Sequence, residues 1–444
     1  MPDHELRAAG ELAAEFADRA LISPIEAVHA GIAERVFGFT GPGAAPVRAV
    51  HDTVSSGVYR AVRGGAAGLG VAVGTAARFV GGEEERTSLS DSGFGRGLQA
   101  AVNGLIGDRL AEEEHPLRIE MALRLPGRDV EVSRAAIEDS FERVTGRLVV
   151  FLHGLCEGEE GWWMGTRSDP ESPDAADSPD TPGASDARTK LPRTYGQRLR
   201  DELDYTPLYL RYNSGLHISA NGRELSWMLE RLCREWPVRV EEVALVGHSM
   251  GGLVARSACH EAEEAGRAWL QQVTHVICLG SPNTGSWLEK VVHVGTTAMR
   301  RAPETRGIAD FFELRSAGIR DLRFGYLRDD DWLDSDADEW LRDRSQPLAP
   351  VPGIGYHFVS ASLTPGPRHP VGALFGDILV RRESATGPRT PDGTPAGDAR
   401  HVEGASHFHL LNHPEVYDHI REWLETPPPA VREAGSSSLV SFDL

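Results

Sequence analysis

From Gly146 to the C-terminus the apolar positions switch repeatedly between two spacings. GRLVVFLHGL, Gly146 to Leu155, is a short continuous apolar run closed by glycine, the pattern of a strand buried on both faces of a parallel sheet. Similar runs predict strands at Leu148–Leu152, Thr206–Tyr212, Glu242–Val246, His275–Leu279 and His357–Ala361. Between them, helical spacing predicts Tyr195–Leu203, Gly222–Trp236 and Gly252–Ala265; in the last, Leu253, Val254, Ser257 and Ala258 share one face. Strands alternating with amphipathic helices argue for βαβ units, hence an α/β protein with a mostly parallel central sheet flanked by helices.

Two stretches break the rhythm. Asp169 to Ala187, within an acidic loop spanning 165–190, is rich in Pro and Ser and almost free of large apolar residues, so it predicts a disordered surface loop. Trp287 to Pro350, within an insertion over 286–350, reads as helical with irregular ends between two strands, where a cap or lid is expected. Residues 1–140 differ again. They read as a mainly helical N-terminal region rich in Ala, Gly and Arg, preceding an α/β domain over 141–444.

Charge narrows the partners. Among 444 residues, 46 Lys and Arg face 66 Asp and Glu, a formal charge of −20 with no concentrated basic patch. Such a surface repels a phosphate backbone, so no nucleic-acid partner is expected. Cys156, Cys233, Cys259 and Cys278 form no C-x-x-C pair, which removes zinc and thioredoxin-like chemistry; buried free thiols are the commoner reading, beside a single disulfide. The N-terminus lacks the basic start and apolar stretch of a secretory signal, and the expected compartment is the cytoplasm. Gly64 to Ala77 is too short to span a membrane. It predicts a close-packed helix seam, with peripheral lipid contact as the alternative. Asp334, Asp336 and Asp338 mimic a calcium loop, but Glu339 and Ser345 stand where Gly and the final Glu belong, so a solvated acidic turn is expected and no metal.

The chemistry concentrates at VALVGHSMGGLVAR, Val243 to Arg256. Gly247-His248-Ser249-Met250-Gly251 is a G-x-S-x-G turn between an apolar strand and a helix. That context makes Ser249 a nucleophile: the tight turn lifts its hydroxyl above the sheet, and the helix N-terminus offers positive potential to a developing oxyanion. His248 is expected to pack beneath it.

A serine nucleophile needs a base and an orienting carboxylate, arriving in the order serine, acid, histidine. Asp377, in the irregular turn after the strand His357–Ala361, fits the acid, with Glu383 and Glu403 ranked lower. His407, just ahead of the final helix, fits the base, leaving His409 and His413 as surface or capping residues. The oxyanion donors are expected to be the N–H groups of Met250 and of Leu155 in the His153-Gly154-Leu155 turn. Trp162 and Trp163 line either an acyl pocket or the core.

HGL after a strand, GHSMGGLVAR, SPNTGS at Ser281–Ser286, GDILVRRESA and SHFHLLNHPEVYDHIREWL together resemble bacterial lipase/esterase-type α/β-hydrolases, a group that includes PGAP-like lipases. The likeness runs from about Leu148 to Leu424 in matching order. It implies an α/β-hydrolase fold, a Ser249–Asp377–His407 triad, hydrolysis of a small-molecule ester or lipid, and no metal or organic cofactor. The acidic loop and the N-terminal region depart from the common pattern. Thioester cleavage, polyester depolymerisation and acyl transfer use the same triad, and a lipid-associated binding module is the reading from another class.

Overall fold

The computed structural model describes residues 93–163, 193–285, 315–333, 348–362, 382–388 and 395–427. The expectations for Gly64–Ala77, the acidic loop, Asp334 to Ser345 and Asp377 lie outside them, as does most of the 286–350 insertion.

Eight strands form one sheet: β1 Ala122–Leu125, β2 Arg128–Val130, β3 Arg147–Leu152, β4 Thr206–Arg211, β5 Glu242–His248, β6 Val273–Leu279, β7 Gly355–Ser362 and β8 Asp398–Glu403. Their order is β2-β1-β4-β3-β5-β6-β7-β8. The six strands from β4 to β8 in that order pair in parallel, while β1 pairs antiparallel with both β4 and β2. Each parallel step needs a crossover. The helices that supply or flank these steps include α1 Gly93–Glu112, α2 Arg134–Ser140, α3 Tyr195–Leu203, α4 Ile218–Glu235 and α5 Met250–Glu264, with α6 Ala317–Asp321, α7 Arg382–Ala385 and α8 Pro414–Glu425 following.

The continuous apolar runs sort by the period of two that a strand imposes. In β3 and β5, Leu148, Val150, Leu152, Val243 and Leu245 enter the core cluster on one face, with Leu225 and Leu229 of α4 and Leu253 of α5. Val149, Phe151, Ala244 and Val246 enter the cluster on the other, with Leu199 of α3 and Ile420 and Trp423 of α8. Each fully buried large side chain contributes roughly 1.5–3 kcal/mol. The sheet is therefore a middle layer, and its strand ends are free to carry chemistry.

One boundary needs correction. The region 1–140, read as helical, contributes β1 and β2 to the sheet edge. These strands are four and three residues long and carry Arg124, Arg128 and Asp129, so no alternating apolar pattern announces them. Arg124 is nevertheless buried. It ion-pairs with Glu159, itself buried, and with Asp129. β8, DARHVE, carries no such pattern either: its one fully buried apolar residue is Val402.

All four cysteines are free thiols. Among the described residues no helix is long and apolar enough to cross a membrane. Within the 286–350 insertion, residues 315–333 pack over the carboxyl end of the sheet, beside the loop after β4. There Gly318 N–H donates to Gly215 O at 3.0 Å, and the Asp321 carboxylate accepts from Ile218 N–H at 2.8 Å and meets His217 Nδ1 at 3.0 Å.

Candidate active site

β5 ends at His248 and α5 starts at Met250, so Ser249 alone makes the turn. Its φ of 52° and ψ of −120° are rare for a residue with a side chain, at a cost on the order of 1–3 kcal/mol. The surroundings hold it there: Ser249 N–H donates to Leu279 O at 2.8 Å, and Gly252 N–H to Ser249 O at 3.2 Å. The flanking glycines are required by close approach. A Cβ on Gly247 would sit 2.3 Å from the backbone of Gly251 and Gly252, and one on Gly251 would sit 2.4 Å from Leu152 O and 2.6 Å from His153 O. The second contact seats the α5 N-terminus directly against the end of β3.

That seating sets the helix start at Met250 beside the loop that carries Leu155. Met250 opens α5, and the first N–H groups of a helix have no intrahelical acceptor. In the β3 loop, Gly154 N–H donates to Glu157 Oε2 at 2.8 Å and Cys156 N–H to Ser214 Oγ at 3.1 Å. Between them, Leu155 N–H meets no acceptor among the described residues. The loop is anchored from below by His153, which is wholly buried and stacked on Tyr212 with ring centroids 4.1 Å apart. Tyr212 N–H points at His153 Nε2 at 3.2 Å, so Nε2 accepts and the Nδ1 proton goes to Gly154 O, 2.8 Å away. Burial holds the His153 pKa below its ordinary value, consistent with a neutral ring.

His407 opens a single turn of 3-10 helix, His407–Leu411, and is buried. Ala405 N–H donates to Ser362 O at the end of β7, 3.1 Å away, which hangs the loop on the sheet. Its ring lies over Gly280: a Cβ there would come within 3.1 Å of both Cε1 and Nδ1. Leu279 O, in the same peptide unit, receives the Ser249 N–H. The imidazole and the strained serine thus flank one peptide at the end of β6. His409 caps the turn, accepting Ser406 N–H on Nδ1 at 3.2 Å, and His413 is the N-cap of α8.

Asp377 lies outside the described residues, as does the Glu383 side chain; Glu403, at the end of β8, is exposed. The segment carrying Asp377 leaves β7 at Ser362, which holds the His407 loop. It is followed by Ser384, whose hydroxyl donates to Gly285 O at 2.9 Å and accepts Thr284 N–H at 3.1 Å in the loop after β6. Trp162 is a core residue, 1% exposed, with its ring 4.8 Å from Phe151 and edge-on to His248 at 6.4 Å. Trp163 is half-buried against Tyr209 at 5.2 Å.

Residues 184–307, which span β4 to β6 and the serine turn, match the family model of the PGAP1-like alpha/beta domain. The fold is that of an α/β-hydrolase. Among curated proteins, none matches the chain. Solved structures similar to it include the mature Bacillus licheniformis lipase BlEst2 at 15% identity, covering 64% of this chain and 94% of that one with a TM-score of 0.39. The carboxylesterase CesB from Bacillus subtilis is 11% identical over 74% of this chain and 97% of its own, with a TM-score of 0.33. Staphylococcus hyicus lipase is 13% identical over 63% and 94%, with a TM-score of 0.35. Likenesses this distant carry no argument about substrate or site; those rest on the chain's own residues.

Glu157 has no readable role in the sequence, and His248 only a packing one. Glu157 Oε2 lies 3.0 Å from His248 Nδ1, and His248 Nε2 lies 3.1 Å from His407 O. No spacing signal links positions 91 and 159 residues away from His248, and only the fold brings them together.

Proposed function

We propose that the protein is a serine hydrolase that cleaves carboxylic esters through an acyl-enzyme intermediate, with Ser249 as nucleophile, His407 as base and Asp377 as the orienting acid. The single observation that carries this reading is the strained Ser249 turn at the end of a central parallel strand, with the buried His407 ring seated on the adjoining peptide.

In this reading His407 takes the Ser249 proton as the hydroxyl attacks the ester carbonyl. The oxyanion receives hydrogen bonds from Met250 N–H and Leu155 N–H, together worth several kcal/mol in a water-poor site. The proton then passes to the leaving alcohol, and water releases the acyl group by the reverse route. Asp377 fits the acid because its segment begins beside the His407 loop. Nothing favours a second reading strongly enough to displace this one, and thioester or acyl-transfer chemistry would use the same groups.

The test is hydrolysis of p-nitrophenyl esters of increasing acyl length by wild type, Ser249→Ala and Asp377→Asn. Loss of on the order of 10⁴-fold or more in kcat is expected for Ser249→Ala and a comparable loss for Asp377→Asn. Equal turnover by wild type and Ser249→Ala would remove the nucleophile. A full loss in Glu403→Gln with Asp377→Asn unaffected would move the acid.

A further inference from the structure

The buried imidazole of His248 ties together two loops that the proposed chemistry needs in register. His248 is completely buried, enclosed by the rings of Trp162 at 6.4 Å, Phe408 at 6.3 Å and His407 at 4.7 Å. Its Nε2 faces the backbone carbonyl of His407 at 3.1 Å. A carbonyl oxygen only accepts, so Nε2 carries a proton. Its Nδ1 faces Glu157 Oε2 at 3.0 Å, and the same oxygen accepts Gly154 N–H at 2.8 Å. Burial alone would raise the Glu157 pKa, but His248 and the Gly154 N–H outweigh it and hold the group down at about 2. With Nε2 donating to that carbonyl, the contact between Nδ1 and Glu157 Oε2 needs one proton between them. The result is a buried imidazole–carboxyl hydrogen bond, joined at one end to the loop before Leu155 and at the other to the residue that supplies the base.

A buried polar pair is weak evidence for stability, because taking both groups out of water costs about as much as their attraction returns. Its placement gives it a different use. The hydrogen bonds fix two backbone points, Gly154 N–H and His407 O, that belong to separate loops at the ends of β3 and β8. We propose that Glu157 and His248 are positioning residues that hold the oxyanion loop and the base loop in register around Ser249. This rests on the hydrolase reading above.

The experiment compares full-length wild type, His248→Gln, Glu157→Gln and the double variant in p-nitrophenyl acetate hydrolysis, in the rate of Ser249 labelling by a fluorophosphonate, and in thermal melting. A displacement near 1 Å costs on the order of 10²-fold, so kcat and labelling rate are expected to fall by about that factor in His248→Gln while KM stays within about threefold. Glu157→Gln, which preserves the shape of the contact and the acceptor for Gly154 N–H, is expected to lose about tenfold in kcat, and the double variant about as much as the worse single one, because the pair acts as a unit. Unchanged kcat and labelling in Glu157→Gln would overturn the proposal, even if His248→Gln failed to fold. So would losses that multiply in the double variant, or lowered melting with full activity per folded molecule. Wild type that the fluorophosphonate does not label would defeat the hydrolase reading itself, whereas wild-type labelling shared equally by all variants would defeat the positioning role alone.

Discussion

Replacing Gly280 by alanine probes the placement of the proposed base, and Gly266 supplies a matched control. Both glycines are left-handed, with φ of 63° and 60°. An alanine in that region costs roughly 1–2 kcal/mol. At Gly266 nothing lies within 4 Å of the new Cβ. This glycine ends α5 in a Schellman turn, with Arg267 N–H donating to Ala262 O at 2.9 Å. At Gly280 the new Cβ would stand 2.9 Å from Leu410 Cδ1 and 3.1 Å from Cε1 and Nδ1 of His407. Gly280 N–H is pinned to Val359 O at 2.8 Å, so the side chains must give way rather than the strand end. Overpacking of this kind adds about 1–3 kcal/mol. Urea denaturation should therefore show a loss of roughly 1–2 kcal/mol for Gly266→Ala and about 2–5 kcal/mol for Gly280→Ala. Ester hydrolysis should separate them further: Gly266→Ala keeps wild-type kcat, while Gly280→Ala loses on the order of 10²-fold through the displaced imidazole. Full activity in a folded Gly280→Ala protein would refute the placement of His407 as the base.

Other residues give independent checks. Tyr195→Phe removes a buried hydroxyl that accepts His413 N–H at 2.7 Å and lies 3.0 Å from Leu410 O, so a loss of about 1–3 kcal/mol is expected in denaturant titration. Phe151→Ala, fully buried between Tyr209 and Trp162, should cost about 3–5 kcal/mol, and a cost under ~1 kcal/mol would contradict the two-faced core. His357 titrates at about 3, because burial and then neighbouring His275 disfavour its charged form. The unfolded chain takes up that proton first, so wild type should lose stability as pH falls from 6.5 towards 3. His357→Phe, which can keep the stack on Trp423, should flatten that dependence; an unchanged slope in urea midpoints between pH 7 and 4 would argue against it.

Much of this molecule is legible in its sequence, and the reasons are physical. A strand buried on both faces must be largely apolar, which is why β3, β5 and β6 stand out, and the helical spacing of Tyr195–Leu203 marks the full length of α3. The serine turn is legible because backbone contacts of 2.3–2.4 Å leave no room for side chains at Gly247 and Gly251. The illegible parts are stabilised by pairing rather than pattern. β1 and β2 bury an arginine against Glu159, 35 residues away. A buried His248 is consistent with the apolar strand it ends; that it bonds Glu157 and the His407 carbonyl depends on contacts no local window contains. Trp162 illustrates the limit of residue type: an indole suits an acyl pocket or a core equally, and neighbours decide for the core.

The most direct test of the central claim is to treat the full-length protein with a fluorophosphonate and locate the adduct by peptide mass spectrometry, in wild type and in His407→Ala. A single adduct on Ser249, formed at least 10³-fold faster in wild type than in the His407 variant, is the expected result. An adduct on another serine, or equal labelling of Ser249 in both proteins, would contradict the assignment of Ser249 and His407 as nucleophile and base.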